Sequence, residues 1–358
     1  MTVLGCHDEG VPRSFRTLSK LRHGDRVAVL SPSFAAPGFA PAVHEQALRR
    51  IRDELGLEPV EYPTTRMLGA DPRARATDVE AALAASDVRA VFASIGGEDQ
   101  ITVVPHVDLA GALADPKPFV GYSDNTHLLN ALWQAGVPGF YGGSTQVHIG
   151  AGPGVDGIHL QSLRAALFDG GELELTEPGE SEDTGVDWLD PRALISYGDR
   201  VPTEPWTWSG PARVVEGRTW GGCLDVLDEI GLAGRMPELE DLRGGILLLE
   251  TSEELPSPRL VARWVRALGE RGVLGVVAGV VVARPPVSTF GDEPDAETRR
   301  ARREAQREVV TGLVARYNPD AVVCVGVPFG HTRPQWIVPY GGTMRLDGVE
   351  RRVFASYD

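Results

Sequence analysis

Cysteine is scarce. Cys6, Cys223 and Cys324 are the only three in 358 residues, and they stand far apart. That excludes a disulfide framework and offers no metal-ligand spacing, so no metal site is expected and a reducing compartment fits. Long apolar runs are absent too. The longest, around 273–283 and 321–327, are short and glycine-punctuated, as buried strands are, and fall short of the roughly 18 residues of a membrane span. The opening MTVLGCHDEGVPRSF lacks the charged and apolar regions of a signal peptide. A cytoplasmic protein without membrane partners is expected. Basic charge is almost entirely arginine and the net charge is −15, which argues against nucleic acid as a partner. No G-x-G-x-x-G follows a strand and no P-loop occurs, so no cofactor is expected.

What is present is alternation. Residues 1–23 read as a loosely held leader, and Arg26 to Leu30 as a first strand. APAVHEQALRRIRDELG places Val43, Ala47, Leu48, Ile51 and Leu55 on one helix face that ends at Gly56. LEPVEY, the helix DVEAALAAS and the strand VRAVFAS follow, the last ending in the Gly96-Gly97 turn. Strands alternating with helices imply a parallel sheet covered on both faces, with ligands at the strands' C-terminal ends. From about Gly150 the chain turns acidic and glycine-rich, so 166–210 reads as linker and exposed loops. Trp188, Trp206 and Trp208 there are either core or a ligand-stacking lid. A second α/β unit starts near 211 and closes as a hairpin around Asp347-Gly348. Its one basic cluster, in AETRRARREAQREVV, alternates with glutamates and reads as a solvated helix face.

Three residues stand at the ends of apolar runs. In KPFVGYSDNTHLLNAL a short strand meets a turn at Ser123, before a helix that Asp124 or Asn125 could cap. A serine there can be a nucleophile beside amides able to stabilise an oxyanion, or merely a cap. LLLE ends on Glu250, and VGVPFGH delivers His331 through a glycine-bounded turn. Each alone could be structural; together they give a nucleophile, a base and a group that orients the base. His7, His23 and His44 fall in the leader or on an exposed early stretch. His127, one helical turn beyond Ser123, could line the site or lie on the surface.

The blocks GDRVAVLSPS, SIGGEDQ, VGYSDNTHLLNAL, TWGGCLDVL, GGILLLE and GVPFGHTRPQ, in this order across 24–350, resemble the LD-carboxypeptidase family of serine peptidases. That family includes muramoyl-tetrapeptide carboxypeptidases and microcin C immunity peptidases. The resemblance implies a Ser123–Glu250–His331 triad, with oxyanion donors from the backbone N–H groups of Asp124 and the Gly96-Gly97 turn. It also implies an α/β fold: an N-terminal Rossmann-like domain (1–165), then the linker, then a smaller β-rich C-terminal domain (211–358), with the site in the cleft between them. Three departures touch specificity. Thr102 stands where relatives often have arginine, and Cys223 where Gly-Gly-Asn is common. Thr251-Ser252-Glu253 stand where the immunity branch carries a lysine. Cys223, Thr251, Trp188 and Trp206 are therefore the candidate substrate contacts. Length and the tryptophan-bearing linker look more like the immunity branch.

The expected activity is hydrolysis of an amide near the C-terminal end of a murein-derived peptide or an aminoacyl nucleotide, with a homodimer as one assembly. An α/β-hydrolase esterase shares the Ser–acid–His order, but GYSDN lacks the second glycine of the G-x-S-x-G elbow. A non-catalytic two-lobed binding protein is the alternative from another class.

Overall fold

A computed structural model describes residues 13–358; Cys6 and His7 lie outside them. The strand Arg26–Leu30 has four buried residues in succession, the pattern of a strand covered on both faces. It lies between Glu58–Glu61 and Val88–Ala93, parallel to both, and Phe119–Gly121 and Gly139–Tyr141 extend the parallel sheet. The sixth strand, Val338–Tyr340, comes from far down the chain and runs antiparallel to Gly139–Tyr141.

The second sheet has eight strands. Its centre is parallel: Val214–Cys223, Ile246–Glu250, Gly279–Ala283 and Val322–Val327. Leu247, Leu248 and Leu249 are almost wholly buried there, each contributing roughly 1.5–3 kcal/mol of burial. The long strand Val214–Cys223 changes partners along its length. Its first half pairs antiparallel with Thr343–Asp347, and Arg352–Ser356 completes the expected hairpin. The molecule is thus a two-domain α/β protein whose sheets both have parallel regions.

Several local expectations are corrected. The helix read from Asp78 begins at Pro72, because Asp71 caps it by accepting from the Arg73 amide at 2.8 Å. Residues 13–23 are docked rather than loose. Phe15 meets Trp133 edge-on at 5.3 Å, Arg13 pairs with Asp241 at 2.8 Å, and Lys20 donates to the Ala165 and Ala166 carbonyls. The stretch read as linker supplies Glu172–Leu175 and Thr207–Ser209, the two edges of the second sheet. In the helix Ala296–Tyr317, Arg303 is not solvated but turned inward onto Asp183 and Glu204, at 2.8 and 2.6 Å. His44 is fully buried, 3.0 Å from Glu61. Among the described residues no helix is long and apolar enough to cross a membrane.

Candidate active site

Ser123 follows the strand Phe119–Gly121 and opens a tight turn, Ser123–Asn125, before the helix Thr126–Gln134. Its φ is 63°, a left-handed conformation costing a non-glycine residue about 1–3 kcal/mol. The neighbours that hold it there are visible. Neither Asp124 nor Asn125 caps the helix through its side chain. The Asp124 carboxylate instead accepts from the Gln100 amide at 2.9 Å and from the Ser33 hydroxyl. Asn125 donates to the carbonyls of Ile95 and Tyr122 at 3.1 and 3.0 Å. These bonds clamp the 95–100 loop against the serine. A Cβ on Gly96 would lie 2.9 Å from Ser123 Oγ, and one on Gly97 2.1 Å from Ser33 Oγ, so only glycine lets that loop approach so closely. Among the described residues, Ser123 Oγ makes no hydrogen bond, so it does not act as a cap.

Glu250 is the last residue of its strand and is buried at 1% exposure. One oxygen accepts from Tyr141 Oη at 2.6 Å, and the other lies 2.6 Å from His331 Nδ1. Tyr141 Oη also accepts from the Ser123 amide at 3.2 Å. A continuous chain therefore runs from the backbone of Ser123 through Tyr141 and Glu250 to His331. Gly330 permits it, since a Cβ there would come within 2.6 Å of Glu250 Oε2. Tyr122 packs against the imidazole with ring centres 5.0 Å apart.

The outer face of His331 is occupied. Its Nε2 lies 3.0 Å from Glu253 Oε2, on the loop after the strand of Glu250. Burial alone would favour the neutral imidazole, but Glu250 and Glu253 outweigh it and raise its pKa well above the ordinary value. Partial desolvation where it meets the ring opposes charge on Glu253, whose side chain is otherwise exposed, yet the His331 imidazolium holds that carboxylate well below its usual range. Sequence reasoning missed Tyr141. Its signal was there: GFY is another short apolar run, ended by Gly142-Gly143.

The cleft opens into a cavity of about 400 Å³ that Tyr122, His331, Glu253 and Trp188 all line. Of the tentative contacts, Trp188 thus lines the same cavity as His331. Trp206 lines a separate hollow with Arg284 and Arg303, and Thr251 a third recess with Gln306. Cys223 is buried, opposite Glu250 in the strand register; burial and then the nearby carboxylates push its thiol pKa far up. His127 is buried as well, with Nε2 3.0 Å from Glu229, and burial lowers its pKa to about 4. No group of His, Cys, Asp and Glu able to hold a metal occurs among the described residues.

A strained serine at a strand end, joined through Tyr141 to a buried carboxylate–imidazole pair, is an arrangement that serine hydrolases can use. Residues 27–142 match the LD-carboxypeptidase N-terminal domain and residues 216–346 the LD-carboxypeptidase C-terminal domain. The chain belongs to the LD-carboxypeptidase family and is a serine carboxypeptidase by that membership. Curated relatives include the murein tetrapeptide carboxypeptidase of Pseudomonas aeruginosa, 26% identical over 91% of this chain and 94% of that protein. The microcin C7 self-immunity protein MccF of Escherichia coli is 26% identical over 73% of this chain and 72% of its own length. The fold matches solved MccF bound to glutamyl sulfamoyl guanosine, with TM-score 0.80, 22% identity, and 95% and 98% of the two chains covered. An MccF-like protein of Streptococcus pneumoniae solved with AMP gives the same TM-score at 24% identity, covering 93% and 99%.

Proposed function

We propose that this enzyme hydrolyses an amide near the C-terminal end of a small peptide-like substrate through Ser123, His331 and Glu250. Ser123 Oγ attacks the carbonyl and His331 Nε2 takes its proton. Glu250, bonded to Nδ1, orients the ring and stabilises the imidazolium. The N–H groups of Asp124 and of the Gly96-Gly97 turn receive the developing oxyanion. His331 then protonates the leaving amine, and water resolves the acyl-enzyme by the reverse path. Before attack, Nε2 must exchange Glu253 for the serine.

The observation that carries this reading is the hydrogen-bonded path from Ser123 through Tyr141 and Glu250 to His331. The substrate is a murein-derived peptide or an aminoacyl nucleotide. Trp188 on the wall of the cavity that His331 also lines favours the second, because an indole face suits a nucleobase. The corresponding setting is the cytoplasm, with a homodimer as the assembly. The test is labelling by a fluorophosphonate, with mass spectrometry of products from tetrapeptides and aminoacyl sulfamoyl adenosines. Label and turnover should both vanish in Ser123→Ala. Normal turnover by that variant would overturn the assignment.

A further inference from the structure

The cavity beside His331 is lopsided in charge. Glu182, Asp183, Asp187 and Glu253 line it with one guanidinium, Arg333; arginines pair with Asp183 and Glu182, so Asp187 and Glu253 are its exposed carboxylates. The Arg333 guanidinium is already engaged. Its Nε donates to Asp156 at 2.6 Å and its Nη2 to the Ala151 carbonyl at 3.0 Å, and the residue is 5% exposed. An anionic substrate group would therefore find no free guanidinium, only the His331 imidazolium already paired with Glu250 and Glu253, and would enter at a desolvation cost.

Glu182 is 2% exposed and is held by charge pairing: Arg200 Nε and Arg333 Nε stand 3.5 and 3.9 Å from its carboxylate. It is therefore not a free acceptor for a substrate cation, which leaves that role to the more exposed carboxylates of the cavity. Aromatic faces that attract cations accompany them: Trp188 lines the cavity, and Phe290, 65% exposed, stands at its rim.

Glu253 links this charge to the chemistry. Its side chain is 63% exposed, on a loop that also holds Leu255 at φ 51°, and its carboxylate occupies His331 Nε2. We propose that Glu253 determines specificity by exchanging His331 for a cationic side chain on the substrate, so that amides whose acyl side chain carries an amine or guanidinium, beyond any α-amine, complete the catalytic pairing as they bind. The inference rests on the serine-hydrolase reading above. A neutral substrate must break the Glu253–His331 contact without replacing it, and an anionic one adds repulsion.

Binding measured on the Ser123→Ala protein needs no turnover, and fluorophosphonate labelling of the unmodified enzyme judges the serine reading separately. Lysyl, norleucyl and glutamyl sulfamoyl adenosine are titrated calorimetrically. The lysyl compound should bind at least about tenfold more tightly than the norleucyl compound, which lacks the side-chain ammonium, and the glutamyl compound most weakly. Adding Glu253→Gln should shrink the lysyl–norleucyl gap to about threefold or less, and Glu253→Lys should favour the glutamyl compound. Equal lysyl and norleucyl affinities, glutamyl preference in the parent, or a full gap persisting in Glu253→Gln would overturn the proposal.

Discussion

Ser123 and His331 are expected to fail together when either is removed. Ser123→Ala and His331→Ala should each lower kcat by roughly 10⁴-fold or more, since members of such a unit act jointly. Glu250→Gln should cost somewhat less, because it spoils the tautomer and leaves the nucleophile and base in place. Single-turnover rates, with circular dichroism to show folding, check the order. Acidity supplies a second prediction. Glu250 and Glu253 face the His331 ring directly; Tyr122 packs on it, His148 adjoins Tyr122, and Arg333 follows two residues on. The two carboxylates raise its pKa, and the base must be neutral, so the rising limb of kcat/KM should lie above the ordinary imidazole range. Glu253→Gln removes one stabiliser of the imidazolium, lowers that pKa and moves the limb to lower pH. A limb unmoved by the substitution would mean that Glu253 does not reach the ring in solution.

At the level of elements, the loop carrying Trp188 is fastened by Asp183, whose side chain is 3% exposed. It accepts from Arg284 and Arg303 at 2.7 and 2.8 Å and from the Val287 amide at 3.0 Å. Asp183→Asn leaves two guanidinium groups short of their partner and should destabilise by about 3 kcal/mol, read as a lowered Tm. Burial raises the Asp183 pKa, but the two arginines lower it further. Its stabilising contribution is thus complete above the unfolded carboxylate range and is lost as pH falls through the depressed folded value. None of this was legible in the sequence, which presents GESEDTGVDW as polar loop. Ser123, Glu250 and His331 were legible as candidates because each ends an apolar run, and ligands gather at the C-terminal ends of parallel strands, here of two different sheets. Asp183 acts through partners set opposite it by topology. Those are Arg284 and Arg303, about 100 and 120 residues away; no local pattern records such a pairing. The strand edges at 172–175 and 207–209 were missed for a related reason: their alternation is weak, and their stability comes from the sheet they join.

Over the whole molecule, the two sheets are interlocked rather than hinged. Val338–Tyr340 covers the edge of the first sheet, and Tyr340 Oη reaches back to the Gly221 carbonyl in the second at 3.0 Å. A fragment of residues 13–165 should therefore expose Gly139–Tyr141 as an unpaired apolar edge, an invitation to aggregation. Light scattering should show it associating, whereas co-expression with 166–358 should restore a soluble, fluorophosphonate-reactive complex. A monomeric, stably folded fragment would contradict the interlock. The same strand also has a meaning in time. On the ribosome the serine's own sheet cannot close until some two hundred further residues have been made, so Ser123 is translated early yet is framed by its full sheet only late. Synthesis itself would then keep Ser123 from its final frame until Glu250 and His331 have also been made.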